Sequence, residues 1–262
     1  MDLEFTQISD VGPVRAGNED YAGSVEPDTP GGARSQGWLF ALADGVGGAD
    51  LGEVASRTAV ESVLQGFRSS TPGESHGSLL ARLVVAANTK VIDGGHAAHA
   101  SMATTIVACA LRYDRATVAH VGDSRCYLIR RGQATQITRD HTIAAEQFRL
   151  GVISGAQMER AETRHVLSRS LGAELIVKPD VSEHQVFVGD VLLLCSDGLH
   201  GSVSGSEMAA ILGSETPLAV AARRLVDIAN QRDGGDNVTA QIIRIRNVER
   251  VGMYRGRPYR LP

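Results

Sequence analysis

Thr104-Thr-Ile-Val-Ala-Cys-Ala-Leu111 is an apolar run that ends in the turn-like Arg112-Tyr-Asp-Arg115. Thr117-Val-Ala-His-Val121 resumes it and halts at Gly122-Asp123. Arg125-Cys-Tyr-Leu-Ile129 and Gln133-Ala-Thr-Gln-Ile137 follow, with Arg130-Arg-Gly132 as a turn between them. These segments lie too close together for parallel pairing, which needs a crossover of about a dozen residues. They read as antiparallel hairpins and a meander. Outward from this block, Trp38–Ala43 stops at Asp44, and Val186–Cys195 and Val238–Ile245 have the same strand character.

Helical periodicity flanks the strands. Val54, Ala55, Thr58, Ala59, Val63 and Phe67 share one face of a helix running to about Gln65. Leu79, Leu80, Leu83, Ala86, Ala87 and Val91 do the same in the next segment. A third helix follows a cap at Ser204 or Ser206 and ends at Gly213; a fourth, from Pro217 to Asn230, opens with proline at its first turn. Two consecutive helix pairs separated by a block of strands predict an α+β fold, with helix pairs covering a largely antiparallel core. Residues 30–37 and 69–78 read as glycine-rich loops, and residues 142–165 as an excursion from the core with weak helical signals.

The 262 residues carry 26 Lys plus Arg against 30 Asp plus Glu, a formal net charge of −4, with 43% hydrophobic and 21% charged residues. These are the proportions of a globular protein with enough chain for a sizeable core. The acidic excess argues against a polybasic nucleic-acid binder, and 4% aromatic residues argue against a base-stacking platform. Only Lys90 and Lys178 are lysines, and the arginine excess reads as compositional bias. Cys109, Cys126 and Cys195 are far apart in apolar runs, so buried free thiols are expected rather than disulfides, and no CxxC is present to bind zinc. Asp2 and Glu4 are unlike a signal peptide's basic start, and no apolar run approaches the ~20 residues of a spanning helix. A cytoplasmic protein is expected.

The positions of aspartate carry the chemistry. Asp44 follows Trp-Leu-Phe-Ala-Leu-Ala and precedes Gly45; Asp123 follows His-Val-Gly; Asp197 follows Leu-Leu-Leu-Cys-Ser and precedes Gly198; Asp236 follows Gly234-Gly235 and precedes Asn237 and a strand. One Asp-Gly at a strand end is usually a turn. Four in one chain suggest carboxylates gathered at one end of a sheet, where their repulsion needs compensation. With two lysines available, a divalent cation suits the role, and hard oxygen donors select Mg²⁺ or Mn²⁺. His120, His141 and His165 fall in no zinc-binding spacing and read as structural or surface residues. Arg15, in the polar turn-rich stretch from Ser9 to Asp20, could offer a planar fork to phosphate oxygens.

The set Ser9-Asp10-x-Gly12-x-x-Arg15-x-x-Asn18-Glu19-Asp20, Ala43-Asp44-Gly45-Val46-Gly47-Gly48, Val121-Gly122-Asp123-Ser124-Arg125, Thr138-Arg139-Asp140-His141, Cys195-Ser196-Asp197-Gly198-Leu199 and Gly235-Asp236-Asn237-Val238-Thr239 resembles bacterial metal-dependent Ser/Thr protein phosphatases of the type 2C class. The motifs stand in the family's order and span nearly the whole chain. The resemblance implies an αββα sandwich, two antiparallel sheets flanked by helix pairs. It implies that Asp44 bridges two Mn²⁺ or Mg²⁺ ions, with the Gly45 carbonyl on one and Asp197 and Asp236 on the other. It further implies that Glu19, Asp20 and Asn237 support metal-bound waters, that Arg15 grips the substrate phosphate, that Asp123 binds a third, weaker ion, and that 142–165 is a flap beside the site.

The activity implied is hydrolysis of phosphoserine and phosphothreonine by a water activated between two metals, counteracting a bacterial Ser/Thr kinase. Its partners would be phosphorylated proteins and that kinase, with no nucleic acid or membrane, and the chain a monomer. Two departures stand out: Ala103 precedes Thr104-Thr105 where the family usually has glycine, and Val46 stands where many eukaryotic members have a histidine. A degenerate binding module would have lost a metal carboxylate, yet Asp44, Asp197 and Asp236 are present. A two-metal nuclease would want a basic groove. No G-K-[ST] and no GxSxG occurs, which excludes P-loop and α/β-hydrolase chemistry. Residues 1–246 are thus read as the catalytic domain and 247–262 as a basic tail, either a frayed end or a docking segment carrying Arg250, Arg255, Arg257 and Arg260.

Overall fold

Two five-stranded antiparallel sheets lie face to face between helix pairs. The computed structural model describes residues 1–46, 49–214, 216–249, 251–254 and 257–260, the last two stretches by their backbone alone. In chain order the elements are β1 (Asp2–Asp10), β2 (Asp20–Val25), α1 (Pro30–Ser35), β3 (Trp38–Asp44), α2 (Gly52–Arg68), α3 (His76–Ala98), β4 (Ile106–Arg112), β5 (Arg115–Val121), β6 (Arg125–Arg130) and β7 (Gln133–Gln136). Then come α4 (Ile143–Arg149), α5 (Gly155–Arg160), a short 3₁₀ turn (Glu162–His165), β8 (Asp180–Gln185), β9 (Val191–Cys195), α6 (Asp197–His200), α7 (Gly205–Leu212), α8 (Leu218–Arg232), β10 (Val238–Asn247), β11 (Val251–Tyr254) and β12 (Arg257–Arg260). One sheet has the order β2-β3-β4-β5-β8 and packs on α2 and α3; the other has the order β1-β10-β9-β6-β7 and packs on α7 and α8.

The four layers explain why the central strands are apolar without alternation. Leu39, Ala41 and Ala43 of β3 face α2 and α3, while Phe40 and Leu42 face the opposite sheet. Ile106, Ala108 and Ala110 of β4 likewise point to the helices, and Val107, Cys109 and Leu111 to the other sheet. β9 repeats the division, with Val191, Leu193 and Cys195 against α7 and α8, and Leu192 and Leu194 in the middle layer. A strand buried on both faces must be hydrophobic at every position. Each fully buried leucine contributes about 1.5–3 kcal/mol. The three cysteines are buried and free, as expected. No described helix is long and apolar enough to cross a membrane.

Four features differ from the sequence expectation. Residues 30–35 form α1 rather than a loop, because Thr29 caps it by accepting a hydrogen bond from the Gly32 N–H, and Pro30 fits its first turn. Val186–Asp190 is a turn rather than strand, with the Asp190 carboxylate accepting from the Phe187 N–H and from both arms of Arg130. The strands not singled out, β1, β2 and β8, are all sheet edges. Edge strands are half-exposed and polar, so they lack an apolar run. In the last stretch, where the sequence reading placed no strand, β11 and β12 pair antiparallel, and Glu249 before them is forked by Arg34 of α1. Arg250 and Arg255 of the expected docking segment lie outside the described residues.

Leu42 is fully buried between the sheets, whereas Val220 on α8 is 57% exposed. Leu42→Ala should cost roughly 2–5 kcal/mol in urea unfolding, and Val220→Ala no more than about 0.5 kcal/mol. Equal small losses would mean that the two sheets do not share a packed middle layer.

Candidate active site

The strand ends converge at one end of the sandwich. Asp44 is the last residue of β3 and pairs in register with Asp20, the first of β2. Asp123 follows β5, Asp197 opens α6 directly after β9, and Asp236 precedes β10. Antiparallel pairing brings the exit of one strand beside the entrance of the next, so the carboxylates meet on one rim although they lie far apart in sequence.

Backbone and hydroxyl contacts hold the rim. The Asp44 N–H donates to Thr105 Oγ1 at 2.9 Å, and the Asp44 carbonyl accepts from the Thr105 N–H at 2.9 Å and from Thr104 Oγ1 at 2.8 Å. Thr105 Oγ1 also meets Ser124 Oγ at 2.7 Å, one residue past Asp123. Ala103, at the position where glycine is usual, accepts from the Val46 N–H at 2.9 Å through its carbonyl. Gly45 has no room for a side chain, since a Cβ there would fall 2.5 Å from the Gly52 carbonyl at the start of α2. Across the two sheets, Ser196 Oγ donates to Asp20 Oδ2 at 2.7 Å.

Asn237 pins the N-terminal loop to this rim. Its Oδ1 accepts from the Glu19 N–H at 2.8 Å, and its Nδ2 donates to the carbonyls of Val11 at 2.8 Å and Gly17 at 3.0 Å. The Asn237 amide is thus committed to backbone groups of the N-terminal loop. Glu19 has its main chain bound on both sides, the carbonyl accepting from the Gly45 N–H at 3.0 Å, and its carboxyl borders Gly52. Arg15 donates from Nε to the Gly235 carbonyl at 3.1 Å and from Nη2 to Asp236 Oδ2 at 3.0 Å. The residue expected on phosphate and one expected on metal are therefore paired, both about two-fifths exposed.

The buried carboxyls are electrostatically strained. Burial, then the neighbouring Asp20 and Asp197, pushes the Asp44 carboxyl well above its ordinary range. Burial raises Asp20 to about 7, with hydroxyl donors opposing the shift, and raises Asp123 to about 7, with Asp197 adding to it. Asp197 is raised by burial and then by Asp236. Asp20 Oδ1 and Asp197 Oδ1 are buried with no hydrogen-bond partner among the described residues. Unpaired, desolvated carboxylate oxygens are costly to the protein alone. A donor set of carboxylates and a glycine carbonyl fits a hard divalent cation such as Mg²⁺ or Mn²⁺.

A separate group, His120, His141 and Asp180, brings three ligand atoms within 4.8 Å of one another. Its hydrogen bonds have the wrong polarity for a metal. His141 Nδ1 accepts from the Gly122 N–H at 3.1 Å, so the neutral ring carries its proton on Nε2, the atom that faces Asp180. A metal-bound imidazole donates its other N–H instead.

A cleft of about 560 Å³ opens over the rim. Asp123, Asp197 and Asp236 line one wall, and Met158, Glu159, Arg164 and His165 from the 142–165 excursion line the other. That excursion is built of α4, α5 and the 3₁₀ turn. Sequence reasoning assigned no role at the site to His200, whose Nε2 lies 3.0 Å from the Asp123 carbonyl, or to the forked Arg125–Asp140 pair that lines the cleft. The signal for the pair was its place in the family motifs; the signal for His200 was its closeness to Asp197 in the chain.

Residues 11–238 match the family model described as Protein phosphatase 2C. The protein phosphatase PhpP of Streptococcus pneumoniae is 32% identical over 245 residues, covering 92% of this chain and 97% of that protein. The serine/threonine phosphatase PstP/Ppp of Mycobacterium tuberculosis superposes with a TM-score of 0.82 at 32% identity, over 94% of this chain and 99% of that one. A structure of the PstP catalytic domain in complex with two manganese ions gives a TM-score of 0.79 at 31% identity, over 94% of this chain and 99% of that one.

A carboxyl whose folded pKa lies above the unfolded value near 4 destabilises the fold increasingly as pH rises from the unfolded toward the folded value. In chelator, Asp44→Asn should therefore melt higher than the unsubstituted protein, and the gap should widen as pH rises from about 5 to about 7.5. The buried histidines, which titrate with the opposite sign, are common to both proteins and cancel in the difference. A gap that stays constant or shrinks with pH would contradict the strained-carboxylate description.

Proposed function

The chain belongs to the protein phosphatase 2C family and is a metal-dependent serine/threonine protein phosphatase, and on that premise we propose that Asp44, Asp197 and Asp236, with the Gly45 carbonyl, hold its divalent ions while Arg15 meets the substrate phosphate. The observation that carries this assignment is the convergence of Asp20, Asp44, Asp123, Asp197 and Asp236 at one rim, where the Asp20 and Asp197 Oδ1 atoms are buried without a hydrogen-bond partner among the described residues and desolvation with acidic neighbours raises Asp44. A bound Mn²⁺ or Mg²⁺ pair would supply electrostatic activation of water and neutralisation of phosphoryl oxygens.

The chain's own residues prepare that chemistry. Thr104 and Thr105 fix the main chain of Asp44 from both its N–H and its carbonyl, so the carboxylate leaves β3 in one direction. Ser196 orients Asp20, leaving its other oxygen toward the rim. Asn237 fixes the loop that ends in Glu19, which we assign with Asp20 to the surroundings of the ions. Arg15 rests on Asp236 and is two-fifths exposed, so it can turn one face of its fork to a phosphate without being desolvated first. Asp123, on the cleft wall, is assigned as a further cation ligand. The reaction class requires phosphoserine or phosphothreonine on a protein and hence a Ser/Thr kinase that makes it. A cytoplasmic setting accords with three buried free thiols. Phosphoproteomes of cells with and without the enzyme would identify the substrates.

Hydrolysis of p-nitrophenyl phosphate and of phosphothreonine peptides should need Mn²⁺ or Mg²⁺ and vanish on exhaustive chelation. Asp44→Asn should lose nearly all turnover while remaining folded. Substantial turnover by Asp44→Asn at saturating Mn²⁺ would remove Asp44 from the centre.

Arg15→Ala should separate binding from turnover. It frees Asp236 from its cationic neighbour, so calorimetry should give Mn²⁺ affinity equal to or tighter than that of the unsubstituted protein. The lost charge-assisted contact, worth about 1.5–3 kcal/mol, should lower kcat/KM by roughly ten- to a hundredfold. Arg15→Lys should recover only part, because an ammonium cannot make the bidentate fork. An unchanged kcat/KM in Arg15→Ala would mean that Arg15 serves Asp236 alone.

A further inference from the structure

Asp123 reaches the cleft from a turn that has unusual support. Gly122 has φ +102°, and a Cβ on it would lie 2.6 Å from Thr105 Cγ2, so the turn is closed to any other residue. With no side chain at 122, the turn must be held through its main chain. His141 does this twice: its Nδ1 accepts from the Gly122 N–H at 3.1 Å, and its own N–H donates to the Gly122 carbonyl at 3.0 Å. His141 is almost fully buried, and its ring is stacked on His120 at 4.8 Å.

The bond from the Gly122 N–H fixes the ring's tautomer. Because Nδ1 accepts, the proton sits on Nε2, 3.4 Å from Asp180 Oδ2 on β8, and Asp180 is steadied by Arg169 Nη1 at 3.0 Å. A doubly protonated ring would put a proton against the Gly122 N–H, and burial, with His120 and Arg169 beside it, keeps His141 neutral. On the other side of the turn, His200 Nε2 lies 3.0 Å from the Asp123 carbonyl. None of these bonds goes to the Asp123 carboxylate itself, so they act on it through the backbone.

We propose that His141, backed by Asp180, and His200 are positioning residues that grip the Gly122-Asp123 turn from two sides and thereby set the direction of the Asp123 carboxylate in the cleft. The inference rests on the assignment of Asp123 to the active site made above. It gives two histidines outside the set Asp44, Asp197 and Asp236 a role in the reaction without contact with substrate or ion. Energetic coupling between each histidine and Asp123 is its signature, whereas a histidine that merely stabilises the fold would add its effect independently.

The test compares His141→Gln, His141→Asn, Asp123→Ala and the double variant His141→Gln/Asp123→Ala. An asparagine amide oxygen can occupy the place of Nδ1 and accept from Gly122; glutamine reaches only the place of Nε2. Amide exchange of Gly122, followed by NMR on the metal-free protein, should accelerate in His141→Gln and return toward normal in His141→Asn. At saturating Mn²⁺, kcat/KM on p-nitrophenyl phosphate should fall about tenfold in His141→Gln, the worth of one lost hydrogen bond, and largely recover in His141→Asn. Added to Asp123→Ala, His141→Gln should cost less than about twofold more. His200→Leu, which loses its donor, and His200→Gln, which keeps one, should repeat the pattern from the other side and serve if the His141 variants do not fold. A full further tenfold loss on top of Asp123→Ala would overturn the positioning role while leaving Asp123 in the site. An Asp123→Ala enzyme with unchanged kcat/KM would overturn both.

Discussion

Buried like charge is the constraint around which this molecule is organised. Asp20, Asp44, Asp123 and Asp197 are each raised by desolvation before any neighbour acts; Asp197 then raises the other three, and Asp236 raises Asp197. In the protein alone that arrangement is unfavourable, since carboxylates taken from water without partners lose several kcal/mol of solvation each. The fold tolerates it because the cost is local and the core is large: both faces of both sheets are packed, and the middle layer holds Phe40, Leu42, Val107, Leu192 and Ile243. A divalent cation bound among these carboxyls would offset their repulsion, so that the resting strain would add to its affinity.

What keeps the carboxyls from relaxing apart is hydrogen bonding made largely to the main chain, with Ser196 on one oxygen of Asp20 and Arg15 on Asp236 among the contacts made to carboxylates. Thr104, Thr105 and Asn237 bind main-chain groups, leaving side-chain oxygens free to face the rim. The contrast with the structural carboxylates is informative. Asp140 and Asp190 are each forked by an arginine, Arg125 and Arg130, and Asp140 stays below its ordinary range despite burial. Among the described residues no arginine pairs with Asp44, Asp20 or Asp197, which accords with the cation-binding role proposed above for this rim. Arg15 is the intermediate case: it touches Asp236 at the cleft mouth, where both remain accessible.

Much of this was legible beforehand because it is written in local pattern. Consecutive strands joined by short turns force antiparallel sheets, and glycine beside aspartate at strand ends marks the rim. The helix pairs followed from periodicity, and Ser204 makes the capping box its position suggested. The edge strands were harder. β8 alternates half-buried and exposed residues, so its sequence, Asp-Val-Ser-Glu-His-Gln, carries no apolar run and only pairing with β5 makes it a strand. The short α1 was hidden in a glycine-rich stretch, and the C-terminal hairpin in an arginine-rich one.

Family, α+β class and the need for a hard divalent cation could be read from the chain unfolded, because each depends on residue type and near spacing. Which groups meet was settled by packing. It paired Arg15 with Asp236, 221 positions away, committed the Asn237 amide to the carbonyls of Val11 and Gly17, and laid His141 and His200 behind the Asp123 turn. Those choices rest on strand register and on the meeting of two sheets, which are properties of the packed core and have no signature in the few residues on either side of the groups they bring together.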